Sequence, residues 1–139
     1  MRKMTLAAVA AVAVTLAWGQ AQAADAYKGT LSGGTEVPPV TSKGAGAAAV
    51  NFDPATKKVS YNVTYTGLSG PATAAHIHCG AAAGANAGVA VKFDNPASPI
   101  TGSATLTDAQ AADLTAGKCY VNVHTDANKG GELRAQLAK

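Results

Sequence analysis

The chain has 139 residues, of which 47% are hydrophobic, only 5% aromatic and 14% charged, with a formal net charge of +3. That length suits one domain behind an N-terminal targeting segment. Without Arg2 and Lys3 of that segment, nine basic residues face eight acidic ones, which leaves no basic patch for nucleic acid or an anionic membrane.

The targeting segment comes first. Arg2 and Lys3 give a positive start, Leu6 to Trp18 is apolar and uncharged, and Ala21-Gln22-Ala23 has the small-x-small form of a cleavage site. That order reads as a secretory signal peptide over residues 1–23. The apolar run is short for a bilayer core of ~30 Å. The expectation is an exported protein, periplasmic or secreted, with one domain over residues 24–139 and no membrane attachment after cleavage.

Short strands follow, split by Gly, Pro, Asn and Asp. Tyr27 to Leu31 is the first. Glu36-Val37-Pro38-Pro39-Val40 is extended but no central strand, because proline lacks the N–H donor and restricts its predecessor. Ala47 to Phe52 is the next strand. Lys57 to Thr66 is the clearest: Val59, Tyr61, Val63 and Tyr65 alternate with Ser60, Asn62, Thr64 and Thr66, the period of a half-buried strand. Thr73 to Cys79 precedes a Gly/Ala-rich stretch, Gly80 to Gly88, which reads as a flexible connection. Val89 to Phe93 and Gly102 to Leu106 are strands around a turn region. Thr107 to Gly117 has a capping residue, a glutamine three places on and a closing glycine, which predicts one short helix. Lys118 to Thr125 and Glu132 to Leu137 are the last strands. The fold class is all-β, a sandwich or barrel with one short helix.

The two cysteines, Cys79 and Cys119, read as a disulfide in an exported chain with a light core. Free thiols, or thiols on a metal, are the alternative. The three histidines lie beside them. Side chains alternate across a strand, so His76 and His78 share one face of theirs, and Tyr120, Asn122 and His124 share one face of the later strand. If the cysteines pair on the opposite face, the strands are neighbours or face each other across the core. Only the neighbour case gathers the histidines, and simple opposition of Cys79 and Cys119 leaves His124 several residues along. A bulge or strong twist is then expected to bring it in. Imidazoles of this kind suit copper or, as second choice, zinc. A solvated polar face is the plain alternative. A site with three protein ligands could also be completed by a second subunit in a homodimer.

Glu132 and Arg134 share a parity in the last strand. The plain expectation is a polar outer face with a surface ion pair; the functional one is an anion-attracting charge near the histidines. No GxSxG, HExxH or Walker loop occurs.

Three blocks resemble the chordin-type (CHRD) domain family: Leu31-Ser32-Gly33 with Glu36-Val37-Pro38-Pro39-Val40; Ala74-Ala75-His76-Ile77-His78; and Tyr120-Val121-Asn122-Val123-His124-Thr125 with Gly131-Glu132-Leu133-Arg134. The resemblance implies an immunoglobulin-like, Greek-key β-sandwich distantly similar to copper/zinc superoxide dismutases. In those enzymes a His-x-His strand and a later His hold copper, and a late Arg guides the anion; His76, His78, His124 and Arg134 are similar in order. The chain departs from them in having no histidine left to bridge two metals and no zinc loop. The leading expectation is an exported copper-binding protein that stores, carries or buffers the ion. The alternatives are a non-catalytic interaction module and a single-copper enzyme acting on superoxide.

Overall fold

The computed structural model describes Gly19 and residues 22–139. The expected signal peptide lies, apart from Gly19, Gln22 and Ala23, outside the described residues. Among the described residues no helix is long and apolar enough to cross a membrane.

Among the described residues the strands are β1 (Asp25–Ser32), β2 (Ala45–Asp53), β3 (Lys58–Thr66), β4 (Ala72–Cys79), β5 (Val89–Lys92), β6 (Ile100–Thr105), β7 (Cys119–Thr125) and β8 (Leu133–Gln136), with one α-helix, α1 (Asp108–Thr115), and a short 3-10 helix at Gly33–Thr35. They form a single eight-stranded sheet in the order β5-β4-β7-β8-β1-β2-β3-β6. All its pairings are antiparallel. The expected sandwich or barrel is thus one barrel-like sheet. Its two halves join at β1 and β8, through Ser32 opposite Arg134 and the bridge between Lys28 and Ala138.

The alternation seen in the sequence decides which face is buried. Val59 and Val63 of β3 are buried, as are Ala48, Val50 and Phe52 of β2. From the other half come Ala75 and Ile77 of β4, Cys119, Val121 and Val123 of β7, and Leu133 and Ala135 of β8. These residues form one cluster. Tyr61 of β3 stacks on Phe93, just past β5, at 4.3 Å between ring centroids, so the core is closed from both halves. Each buried Val, Leu or Ile contributes ~1.5–3 kcal/mol against exposure, which is how a chain poor in aromatics sustains a core.

The helix forms as its caps dictate. The Gln110 backbone N–H donates to Thr107 Oγ1 at 3.2 Å, and the Thr107 N–H donates to Gln110 Oε1 at 3.0 Å. Gly117, at φ +74°, takes the left-handed turn that follows.

Residues 33–40, residues 80–88 and the 126–131 turn lie over the outer face of β7 and β8. Their effect shows in burial. Tyr120, Asn122 and Arg134, on the outer face of those strands, are buried like the core side.

Candidate metal centre

The register between β4 and β7 begins at the disulfide. Cys79 and Cys119 are bonded, with their Cα atoms 4.1 Å apart, and they sit directly opposite each other. From there His78 faces Tyr120, His76 faces Asn122 and Ala74 faces His124. The three histidines therefore run diagonally over one face.

The pairing is regular from Ala74 to Cys79, and the only shift lies between Ala72 and Ala74, beyond His124. In this pairing no bulge falls inside the cluster; the irregularity that does, between Ile77 and His78, belongs to the pairing of β4 with β5. The histidines meet by reach: diagonal neighbours on adjacent strands are ~7–8 Å apart, within range of long side chains, and His76 stands in the middle. Its ring centroid is 5.4 Å from that of His78 and 5.0 Å from that of His124. His76 Nδ1 and His124 Nε2 are 3.1 Å apart. One nitrogen from each ring can be chosen so that all lie within 4.8 Å of one another. Metal–nitrogen bonds of ~2.0–2.1 Å set ligand nitrogens about 3.3–3.4 Å apart in a tetrahedral site, a spacing inside that 4.8 Å limit.

Backbone carbonyls orient two of the rings. His78 Nδ1–H donates to the Ala87 carbonyl at 2.8 Å, and His124 Nδ1–H donates to the Lys129 carbonyl at 2.8 Å. In the neutral imidazole this leaves the lone pair on Nε2, and both Nε2 atoms turn toward the cluster. Such outer hydrogen bonds are how metal-binding histidines are held. Burial is the main reason the His76 pKa is lowered to about 4, with the neighbouring His124, His78 and Lys92 charges adding to it. Burial also lowers that of His78, against the hydrogen bonds to Ala87 and Asn122, which raise it. These two rings stay neutral, and so able to bind a cation, at pH values where an exposed histidine is charged.

Asn122 lies between the rings, with Oδ1 3.0 Å from both His78 Nε2 and His124 Nε2. Tyr120 stacks on His78, centroids 4.8 Å apart and planes within 4°. The Arg134 guanidinium carbon lies over the Tyr120 ring, 4.0 Å from its centroid.

Arg134 and Glu132 are not a surface pair, and the polar outer face expected there is corrected. Arg134 is 3% exposed and Glu132 is 1% exposed. Arg134 Nε donates to Glu36 Oε2 at 3.1 Å, and its other nitrogens donate to the Ala85 carbonyl and to Asn86 Oδ1. Glu132 instead accepts from the Ser69 N–H and from Ser42 Oγ. Two loops from elsewhere in the chain cover this face, and parity within β8 cannot report that. The Gly/Ala-rich stretch, expected to be a flexible connection, supplies one of those loops. Besides Ala85 and Asn86 on Arg134, its Ala87 meets His78 and Tyr120, and Asn86 Nδ2 donates to the Val37 carbonyl. Arg134 makes no hydrogen bond to the histidines and lies beside them across the Tyr120 ring.

Glu36, Asn86, Ala87 and Lys129 entered no sequence-based site. Asn122 and Tyr120 were visible there by parity with His124, the one signal that could have marked them.

The comparisons with known proteins add a family. The family model described as the CHRD domain matches residues 27–137. No curated protein and no solved structure gave a match.

Proposed function

The chain belongs to the CHRD-domain family, and from that premise we propose that it is an exported metal-binding protein, for copper before zinc, that stores, carries or buffers the ion on His76, His78 and His124. The observation that carries this reading is the hydrogen bonding of the rings. Two Nδ1–H groups are committed to carbonyls, and the Nε2 lone pairs they leave converge with His76. With His124 Nε2 as the acceptor, the His76 Nδ1–H donates to it at 3.1 Å, and a bound cation would take the place of that proton. The Cys79–Cys119 disulfide supports the oxidising compartment that export implies. It also ties the two strands together at the edge of the site.

The single-copper enzyme gains little support. The Arg134 guanidinium, which would have guided an anion, is buried against Glu36. A second reading, a non-catalytic extracellular interaction module, rests on the family membership and requires no ion.

Titration of metal-free protein with Cu(II) and Zn(II) separates the two. The metal reading expects one equivalent bound, with loss when all three histidines are replaced by alanine. No binding above that of the triple variant would leave the interaction module.

A further inference from the structure

Asn122 stands beside the histidine cluster on the outer face of β7 and is 2% exposed. Its Oδ1 lies 3.0 Å from His78 Nε2 and 3.0 Å from His124 Nε2. Both of those nitrogens carry lone pairs, because their Nδ1–H groups are given to Ala87 and Lys129. An oxygen aimed at lone pairs is unfavourable by itself. Half a turn of the amide would place Nδ2 there instead and donate a proton to each ring.

Something must therefore hold Oδ1 inward, and Glu36 is placed to do so. Its Oε2 accepts from Arg134, while its Oε1 is buried with no hydrogen-bond partner. Gly131 leaves a gap bordered by Oε1 and the Asn122 amide, with no hydrogen bond between them. A Cβ at that glycine would stand 2.9 Å from Asn122 Nδ2 and closer still to Glu36 Oε1. Gly131 also has φ +125°, a conformation that suits glycine. A buried carboxylate oxygen without a donor favours the amide N–H₂ on its side, and turning the amide over would set two oxygens face to face. That cost is what fixes the amide.

We propose that Asn122 Oδ1 is a fourth donor atom of the metal site, beside His76, His78 and His124, and that Glu36 is the positioning residue that keeps this oxygen turned toward the ion. The inference rests on the three-histidine reading above. It also narrows the cargo. Three imidazoles and an amide oxygen suit divalent copper or zinc, whereas Cu(I) is selected by soft sulfur ligands.

The test uses the full chain, metal-free and then titrated with Cu(II), as parent and as Asn122→Leu, Asn122→Asp and Glu36→Gln. Copper electron paramagnetic resonance is recorded on each loaded sample, and circular dichroism reports folding. Asn122→Leu should lose affinity by about tenfold or more and change the resonance signal, because one donor is gone. Asn122→Asp keeps an oxygen in place and should bind at least as tightly as the parent. Glu36→Gln puts an N–H₂ group where Oε1 stood, turns the Asn122 amide over, and should lose about tenfold.

An Asn122 that merely donates N–H bonds to the rings gives another pattern. Aspartate cannot donate, so Asn122→Asp would then bind as poorly as Asn122→Leu, and the proposal is overturned. Parent-like affinity and signal in Asn122→Leu overturn it too, while the three-histidine site stands. A parent that binds no copper overturns both. Should Asn122→Leu fail to fold, Asn122→Asp and Glu36→Gln decide: tight and weak binding respectively support the proposal, and any other pairing overturns it.

Discussion

His76 Nδ1 and His124 Nε2 lie 3.1 Å apart although 48 residues separate them along the chain. This contact between β4 and β7 is what makes the cluster one site rather than a His-x-His pair with a bystander. His124→Ala should therefore weaken Cu(II) binding on the order of 100-fold, at least the loss typical of an outer-sphere partner. Isothermal titration of the metal-free protein reads it. Parent-like affinity in that variant would assign binding to His76 and His78 alone or with a second copy of the chain. Sedimentation with and without copper would then show a metal-dependent dimer.

Cys79 and Cys119 are separated by 40 residues in sequence and bonded across the same two strands. Replacing both with alanine should cost ~2–5 kcal/mol, the usual loss for a small exported domain. Urea unfolding under non-reducing conditions measures it. Because the bond sits next to His78 and Tyr120, copper affinity should fall in the same variant. Unchanged affinity would mean that β-sheet hydrogen bonding alone holds the register.

Acid should destabilise the metal-free protein before most carboxylates titrate. The His76 pKa is lowered to about 4 from its ordinary 6.5, chiefly by burial. In the unfolded chain the same ring takes a proton near 6.5, so between these values the unfolded state binds more protons. The stability this ring contributes is complete above about pH 6.5 and is lost as pH falls through about 4. His78 acts in the same direction. The loss assigned to His76 is on the order of 1–3 kcal/mol, kept low because the ring is partly open to solvent. Urea midpoints of the parent and of His76→Phe at pH 7 and pH 4.5 test it. An equal loss in both proteins would place the acid sensitivity elsewhere.

Arg134 and Glu36 form an ion pair at 3.1 Å with both side chains almost fully buried. Burial raises the Glu36 pKa despite the nearby guanidinium, which pulls it down. Removing one partner strands the other. Arg134→Ala should cost ~3–5 kcal/mol, whereas Glu36→Leu with Arg134→Met should recover much of it. A double-mutant cycle by thermal unfolding gives both figures. Additive losses in the double variant would show that the two charges do not depend on each other.

Much of the strand plan follows from local pattern. Val59, Tyr61, Val63 and Tyr65 alternate, and β3 runs through them with the valines inward. Thr107 and Gln110 form the capping box that their spacing implied. Side-chain parity likewise put His76, His78 and His124 on faces that meet once β4 and β7 pair. These features involve residues close in sequence, where alternation and capping act directly.

Other features belonged to no single segment. The two halves join through β1 and β8, and the single sheet order with β4 beside β7 arises from long-range pairing. Arg134 met Glu36, 98 residues away, rather than Glu132 two places before it. The reason is that two loops fold over the outer face of β7 and β8, and a loop's resting place depends on what it can hydrogen-bond to at a distance. The sequence by itself determined a small all-β chain of this family with a paired cysteine set and histidines of matching parity, because period-two hydrophobicity and alternating side chains are local properties. Only the tertiary structure decided that the Nε2 atoms face one another, that Ala87 and Lys129 lock the rings, and that Asn122 and Glu36 stand behind them. Those relations exist only after distant strands and loops have packed.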